Sequence, residues 1–258
     1  MRIYVLLKQT LDTEETLEIE DNKIVVDEGE KIINPYDEYA IEEALLQRDK
    51  HGGEVTAVSV GMEEIEVESS LRTAYAMGVD HAVWIQIEEL AESDPHSTAT
   101  ILAAYLADKK ADLIIGGNVS VDSGTGQVGP RLAEQLGINQ ATTILKLTIE
   151  DQAATVTRDV EGDEVVMKLP LPLLVTAQQG LNEPRYPSLP GIMKAKRKTI
   201  EELTLDDLSL DLQDVKAKTD TVKQYLPEQK EKGKQLEGTI HEQVQELVEL
   251  LKTSVSQS

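Results

Sequence analysis

The spacing of apolar side chains along this chain changes in kind twice, and each change marks a different class of element. Arg2 to Leu7 is a short apolar run, partly β-branched and closed by Lys8-Gln9-Thr10, which predicts a buried strand. Leu17-Glu18-Ile19-Glu20 alternates, Asp21-Asn22 supplies a turn pair and Lys23 to Val26 resumes the strand character, so a hairpin outside the main sheet is expected. The period then becomes helical. Asn34 stands as N-cap, Pro35 as first helical residue and Asp37 and Glu38 in the first turn; Ala40, Ile41, Ala44 and Leu45 form one face, and His51-Gly52-Gly53 ends the run. Strand and helix alternate twice more, as Glu54 to Val60 with Glu63 to Met77 and Ala82 to Ile87 with Pro95 to Lys109, before a strand at Leu113 to Gly117. Strand and helix repeating at this spacing predict a doubly wound α/β domain with a mostly parallel sheet.

Past Gly129, a helix carrying Leu132, Ala133 and Leu136 is capped by Gly137, and then the pattern turns antiparallel. Ala141 to Glu150, Ala153 to Val160 and Glu164 to Leu169 predict an edge meander, and Pro172 to Ala177 a strand that re-enters the main sheet. Beyond residue 200 the Leu-Asp repeats from Leu203 to Asp214 and the polar run from Pro227 to Lys234 read as linker, with no core of their own. A last helix from about Lys234 to Lys252 lines up Leu236, Ile240, Val244, Leu247 and Leu251, an apolar stripe suited to a partner chain. The expected organisation is therefore an α/β domain over 1–200 and a C-terminal helical arm over 201–258.

Composition narrows the functions that fit. A net charge of −23 disfavours nucleic acid and anionic membrane surfaces except through a local basic patch, so neither is expected as a partner. With no cysteine there is no disulfide, thiolate metal site or cysteine nucleophile, and redox work would need a cofactor. Phenylalanine is absent and tryptophan occurs once, so the core must be aliphatic. The N-terminal apolar run is too short for a signal peptide or a membrane span, which points to a cytoplasmic location without membrane insertion.

Two stretches carry the candidate chemistry. Gly116 to Gly129 places small residues between a strand's carboxyl end and a helix start, where backbone N–H groups and the helix dipole attract an anion. The string has neither the full dinucleotide fingerprint nor a P-loop lysine, so it reads as a phosphate cradle or as a tight strand-to-helix turn. Leu181 to Lys198 combines Pro184, Pro187 and Pro190, which exclude regular helix over 183–190, with the cations Lys194, Lys196, Arg197 and Lys198. It reads as a linker or as a docking surface anchored by Tyr186 or Leu189. The four histidines are scattered and no carboxylate pair stands out, so neither a metal site nor a catalytic base is expected.

The strings VLLKQTLD, NPYDEYAIEEAL, AVSVG, RTAYAMGVD, DSGTGQVGPRLAE and PLLVTAQQGLNEPRYPSLPGIMKAKRK resemble the beta subunit of electron-transfer flavoproteins over nearly the whole chain. That resemblance implies an adenine-nucleotide-hydrolase-like fold and an electron-carrier subunit rather than an enzyme. It also implies a structural AMP, with FAD held mainly by an alpha subunit in a heterodimer. It maps the nucleotide site onto Leu6, Asn34, Asp37, Val60 and Asp122, Ser123, Gly124, Thr125, Gly126, Gln127 and Val128. It makes Tyr186, Leu189, Ile192 and Met193 the face that docks on acyl-CoA-type dehydrogenases of fatty acid oxidation, with a membrane quinone oxidoreductase as acceptor. Members that hold a second FAD and bifurcate electrons from NADH tend to carry D-G-D-T where this chain has Asp122-Ser123-Gly124-Thr125, which favours AMP. Thr13 stands where some members place an aromatic residue near the flavin. A stand-alone nucleotide-binding stress-type protein is the remaining alternative; the amphipathic C-terminal helix speaks against it.

Overall fold

A computed structural model describes the chain apart from residues 13, 15–16, 21–22, 26–30, 63, 88–92, 228–232, 234 and 256–258. The expected turn at Asp21-Asn22, Val26, the helix start at Glu63, Thr13 and most of the polar run after Pro227 lie outside the described residues. The strands are β1 (Arg2–Leu7), β2 (Gln9–Leu11), β3 (Glu18–Glu20), β4 (Lys23–Val25), β5 (Lys31–Ile33), β6 (Glu54–Gly61), β7 (His81–Gln86), β8 (Leu113–Gly117), β9 (Asn139–Glu150), β10 (Ala153–Val160), β11 (Asp163–Pro170), β12 (Leu173–Ala177) and β13 (Glu201–Leu203). The helices are α1 (Pro35–His51), α2 (Glu64–Met77), α3 (Pro95–Leu106), α4 (Val128–Leu136), α5 (Leu189–Ala195) and α6 (Ile240–Val255).

Nine strands form one sheet in the order β11-β10-β9-β12-β8-β1-β6-β7-β13. The strands from β12 to β13 in that order run parallel, and β9, β10 and β11 form the antiparallel meander at the edge. Both faces of the sheet are covered, which is why its inner strands are apolar at successive positions. In β1, Ile3, Val5 and Leu7 face a core shared with α1 and α2, while Tyr4 faces a second core shared with α3 and α4. The same alternation runs through β8 and β12: Leu113, Ile115, Leu173 and Val175 point one way, and Ile114 and Leu174 the other. This is the doubly wound α/β architecture that strand and helix spacing predicts.

Two compact units divide the chain: Met1–Leu17 with Val25–Val222, and Glu18–Ile24 with Lys223–Ser258. The stretch read from sequence as a linker from Leu203 to Asp214 is part of the larger unit. β13 pairs with β7 in register Glu201↔Val83, and Leu205 and Val215 are buried in the second core. Their burial escapes a periodicity search because single leucines alternate with acids that stay in water. In the smaller unit, α6 presents Ile240, Val244, Leu247 and Leu251 exposed.

Candidate functional site

β1 continues to β6 on one side and lies against β8 on the other, so the chain order reverses between β1 and β8. Outside the carboxyl ends of such a strand pair the loops diverge and leave a crevice, the usual ligand position in a doubly wound sheet. Asp37, buried in the first turn of α1, ties that crevice together. Its Oδ2 accepts the amide of Lys8 at 2.8 Å, just past β1, and its Oδ1 accepts the amide of Gly117 at 2.9 Å, at the end of β8. Burial pushes its carboxyl up to about 7, against the pull of the hydrogen bonds from Lys8, Asn34 and Gly117.

Asn34 does not cap α1 with its side chain as its position predicts. Its amide nitrogen donates to Asp37 Oδ1 at 3.0 Å and to Val119 O at 2.9 Å, and its Oδ1 accepts the amide of Val121 at 3.2 Å. The side chain is spent on the loop after β8 instead. That loop is held from its other side by Thr176, whose hydroxyl donates to Asn118 Oδ1 at 3.0 Å, and by the Asn118 amide donating to Ala177 O at 2.9 Å. Lys8 Nζ reaches Asp122 at 2.7 Å and Ser120 Oγ at 3.2 Å. Burial raises the Asp122 carboxyl, but its hydrogen bonds from Lys8 and Ser120 and the ammonium charge outweigh this and hold it below its usual value.

Gly124 and Gly126 adopt left-handed φ of 62° and 60°, which turns the chain back into α4. At Gly126 a Cβ would also meet Asn118 O at 3.1 Å, so two requirements select glycine there. Among the described residues, the amides of Thr125, Gly126 and Gln127 reach no acceptor and Gln127 makes no side-chain cap. Open amides ahead of a helix with its positive dipole end are suited to an anion. The geometry gathers Leu6, Asn34, Asp37 and residues 122–128 around the crevice, with half-buried Val60 at the end of the neighbouring β6. Lys8 and Thr176 belong to the same network without having been singled out in the sequence; Lys8 is the first polar residue past an apolar strand and was open to detection on that ground.

A model of the electron transfer flavoprotein domain matches residues 22–208. Electron transfer flavoprotein subunit beta of Bacillus subtilis is 58% identical over 254 residues, covering 98% of both chains. The subunit of the same name from Thermoanaerobacterium thermosaccharolyticum is 39% identical over 97% of this chain and 98% of its own, and the human one 33% over 93% and 94%. The chain belongs to the beta-subunit family of electron transfer flavoproteins. Membership carries an electron-transfer role and implies a partner subunit.

In this beta-subunit chain the proline-rich stretch is strapped to the body rather than free. Arg185 places its guanidinium on buried Glu42 at 2.7 and 2.9 Å, and Asn182 donates to Tyr39 O and to Glu43 Oε2. Farther along, Arg72 donates to the carbonyls of Ala195 and Lys198, and the Tyr75 hydroxyl to Thr199 O. Lys198, counted from sequence among the outward cations, turns inward: its Nζ donates to Val79 O at 2.8 Å and Asp80 O at 3.0 Å and lies over the Tyr75 ring. Burial lowers its pKa. The helix begins earlier than the prolines suggest, at Leu189, because Ser188 caps it and Pro190 occupies its first turn. What stays outside is a cluster of large apolar side chains, with Tyr186 92% and Leu189 80% exposed and Ile192 and Met193 beside them. No group of three His, Asp or Glu side chains among the described residues could hold a metal, and no described helix is long and apolar enough to cross a membrane.

Proposed function

We propose that the chain is the beta subunit of a heterodimeric electron carrier that keeps a structural AMP in the β1/β8 crevice. The observation that carries this is the turn from Asp122 to Val128. It is cut to glycine at the two positions that need left-handed φ, and it presents open amides in front of α4. A single phosphate fits that donor set. Leu6 and Val60 would flank the adenine moiety with apolar surface, and Asn34 and Asp37 would hold the loop in its binding shape. AMP so held contributes cohesion and no redox chemistry, whereas the FAD of the alpha subunit would supply the electron-accepting chemistry. This chain's share is to present that flavin to its donors through Tyr186, Leu189, Ile192 and Met193. The donors would be acyl-CoA-type dehydrogenases of fatty acid oxidation, and the electrons would pass on to a membrane quinone oxidoreductase. A cytoplasmic location accords with this role.

Acid release and chromatographic identification of the nucleotide in the purified heterodimer tests the assignment. One AMP and one FAD per heterodimer is the expected result. Two FAD would overturn it in favour of an NADH-dependent electron-bifurcating assembly. For the docking face, Leu189→Ala is expected to slow electron acceptance from an acyl-CoA dehydrogenase by tenfold or so while leaving the flavin spectrum unchanged, since a central apolar anchor contributes about 1–3 kcal/mol. An unchanged rate would remove Leu189 from that role.

A further inference from the structure

We propose that the Lys8–Asp122 pair sets how many phosphates the nucleotide site accepts, making it selective for a monophosphate. The inference rests on the reading of the crevice as an adenine-nucleotide site. An anion cradle with a carboxylate inside its own turn is at odds with its task, since Asp122 would repel the ligand. Lys8 removes that repulsion by pairing with Asp122 at 2.7 Å. The pair is not a chance surface contact. The Lys8 amide is fixed on Asp37, the Asp122 Oδ1 accepts the Ser123 amide at 2.6 Å, and the hydroxyls of Ser120 and Ser123 meet at 2.8 Å beneath the lysine.

In nucleoside-triphosphate sites of the P-loop kind a free lysine reaches the outer phosphates. Here the one lysine that the topology delivers to the crevice from β1 is already neutralised by Asp122. What remains for a ligand is the Thr125 to Gln127 amides and the positive end of α4, a partial charge of about half a unit. That donor set matches one phosphate. It leaves the added charge of a di- or triphosphate uncompensated and close to Asp122. The aspartate thus excludes longer phosphate chains by holding the lysine back, a case of specificity obtained by withholding a favourable contact.

The test is calorimetric titration of the full chain, freed of nucleotide, with AMP, ADP and ATP. The wild-type chain is expected to bind AMP most tightly. Asp122→Asn retains an oxygen for the Ser123 amide but frees Lys8, and is expected to raise ADP and ATP affinity relative to AMP by about tenfold. Lys8→Gln is expected to weaken all three, and the double variant to restore the wild-type order. Should Asp122→Asn fail to fold, Asp122→Ser removes the same charge and keeps a hydroxyl for both neighbours. An AMP-to-ADP ratio unchanged by removal of the Asp122 charge, in a chain whose wild type binds AMP, overturns the inference alone. A wild type that binds none of the three overturns the reading of the site and the inference with it.

Discussion

The amide of Gly117 donates to Asp37 Oδ1 at 2.9 Å, and a Cβ built on Gly117 would lie 2.2 Å from that same oxygen. The hydrogen bond and the absence of a side chain are one requirement, because only a bare backbone can come this close to a fixed carboxylate. Tyr36 Cβ at 2.7 Å and Asn34 Nδ2 at 3.0 Å close the remaining directions. Gly117→Ala must therefore displace the start of α1, at a cost of about 1–3 kcal/mol for overpacking. Urea unfolding of the variant should show that loss, and the purified heterodimer should retain less nucleotide.

Asp37 should leave a signature in the pH dependence of stability. Its folded-state pKa of about 7 lies above the ordinary value of 3.8, so between those limits the folded chain binds a proton that the unfolded chain has lost. Its contribution to stability is consequently greatest below pH 4, declines as pH rises through the window and is constant above it. Asp37→Asn removes this slope. It also sets an NH2 group against one of the incoming N–H donors, lowering overall stability by about 1–3 kcal/mol. Chemical denaturation of both proteins at several pH values checks the two effects separately.

Glu42 is 7% exposed and faces the Arg185 guanidinium, itself 37% exposed. Arg185→Ala strands the carboxylate in a dry position, whereas Glu42→Gln combined with Arg185→Ala does not. The single variant should be destabilised by about 1–3 kcal/mol and the double by less. Thermal unfolding distinguishes them. Both should slow electron acceptance from a dehydrogenase, because the loop before Tyr186 has lost its anchor.

Asp94 caps α3 by accepting the Ser97 amide, and its other oxygen accepts the amides of Lys218 and Thr219 and the Thr219 hydroxyl. Burial acts to raise its pKa, but these donors prevail and hold it well below the usual carboxylate range. Stability from Asp94 is present above its unfolded value near 3.8 and is lost as pH falls toward the folded one. Asp94→Ala should cost about 1–2 kcal/mol, the range for a lost cap. Amide exchange at Lys218 and Thr219 should quicken, with the β1/β8 network unaffected.

The sheet was legible because its apolar runs are short, bounded by turn residues and separated by helical periods; all four antiparallel and re-entrant strands from β9 to β12 follow from that pattern. The glycine turn between β8 and α4 was legible because glycine and small residues cluster where a strand gives way to a helix. Pairings between distant segments were not. Asn34 obeys a local capping rule, yet Val119 and Val121 claim its side chain, and Lys198 looks like a surface cation until Val79 and Asp80 supply its acceptors. Leu205 and Val215 are buried by a sheet face that only the crossover order creates. Local sequence carries propensity; these contacts depend on which strands become neighbours.

α1 touches both candidate regions. Its first turn fixes the ends of β1 and β8, beside the proposed nucleotide loop, through Asp37, and its middle fixes the proline-rich segment through Tyr39, Glu42 and Glu43. Those attachments lie within two turns of one rigid rod, so the proposed cradle and the proposed contact face share a common datum. Random substitutions that tilt α1 should surface in genetic screens as joint losses, with cofactor retention and donor recognition failing together, whereas substitutions confined to either loop should separate the two traits.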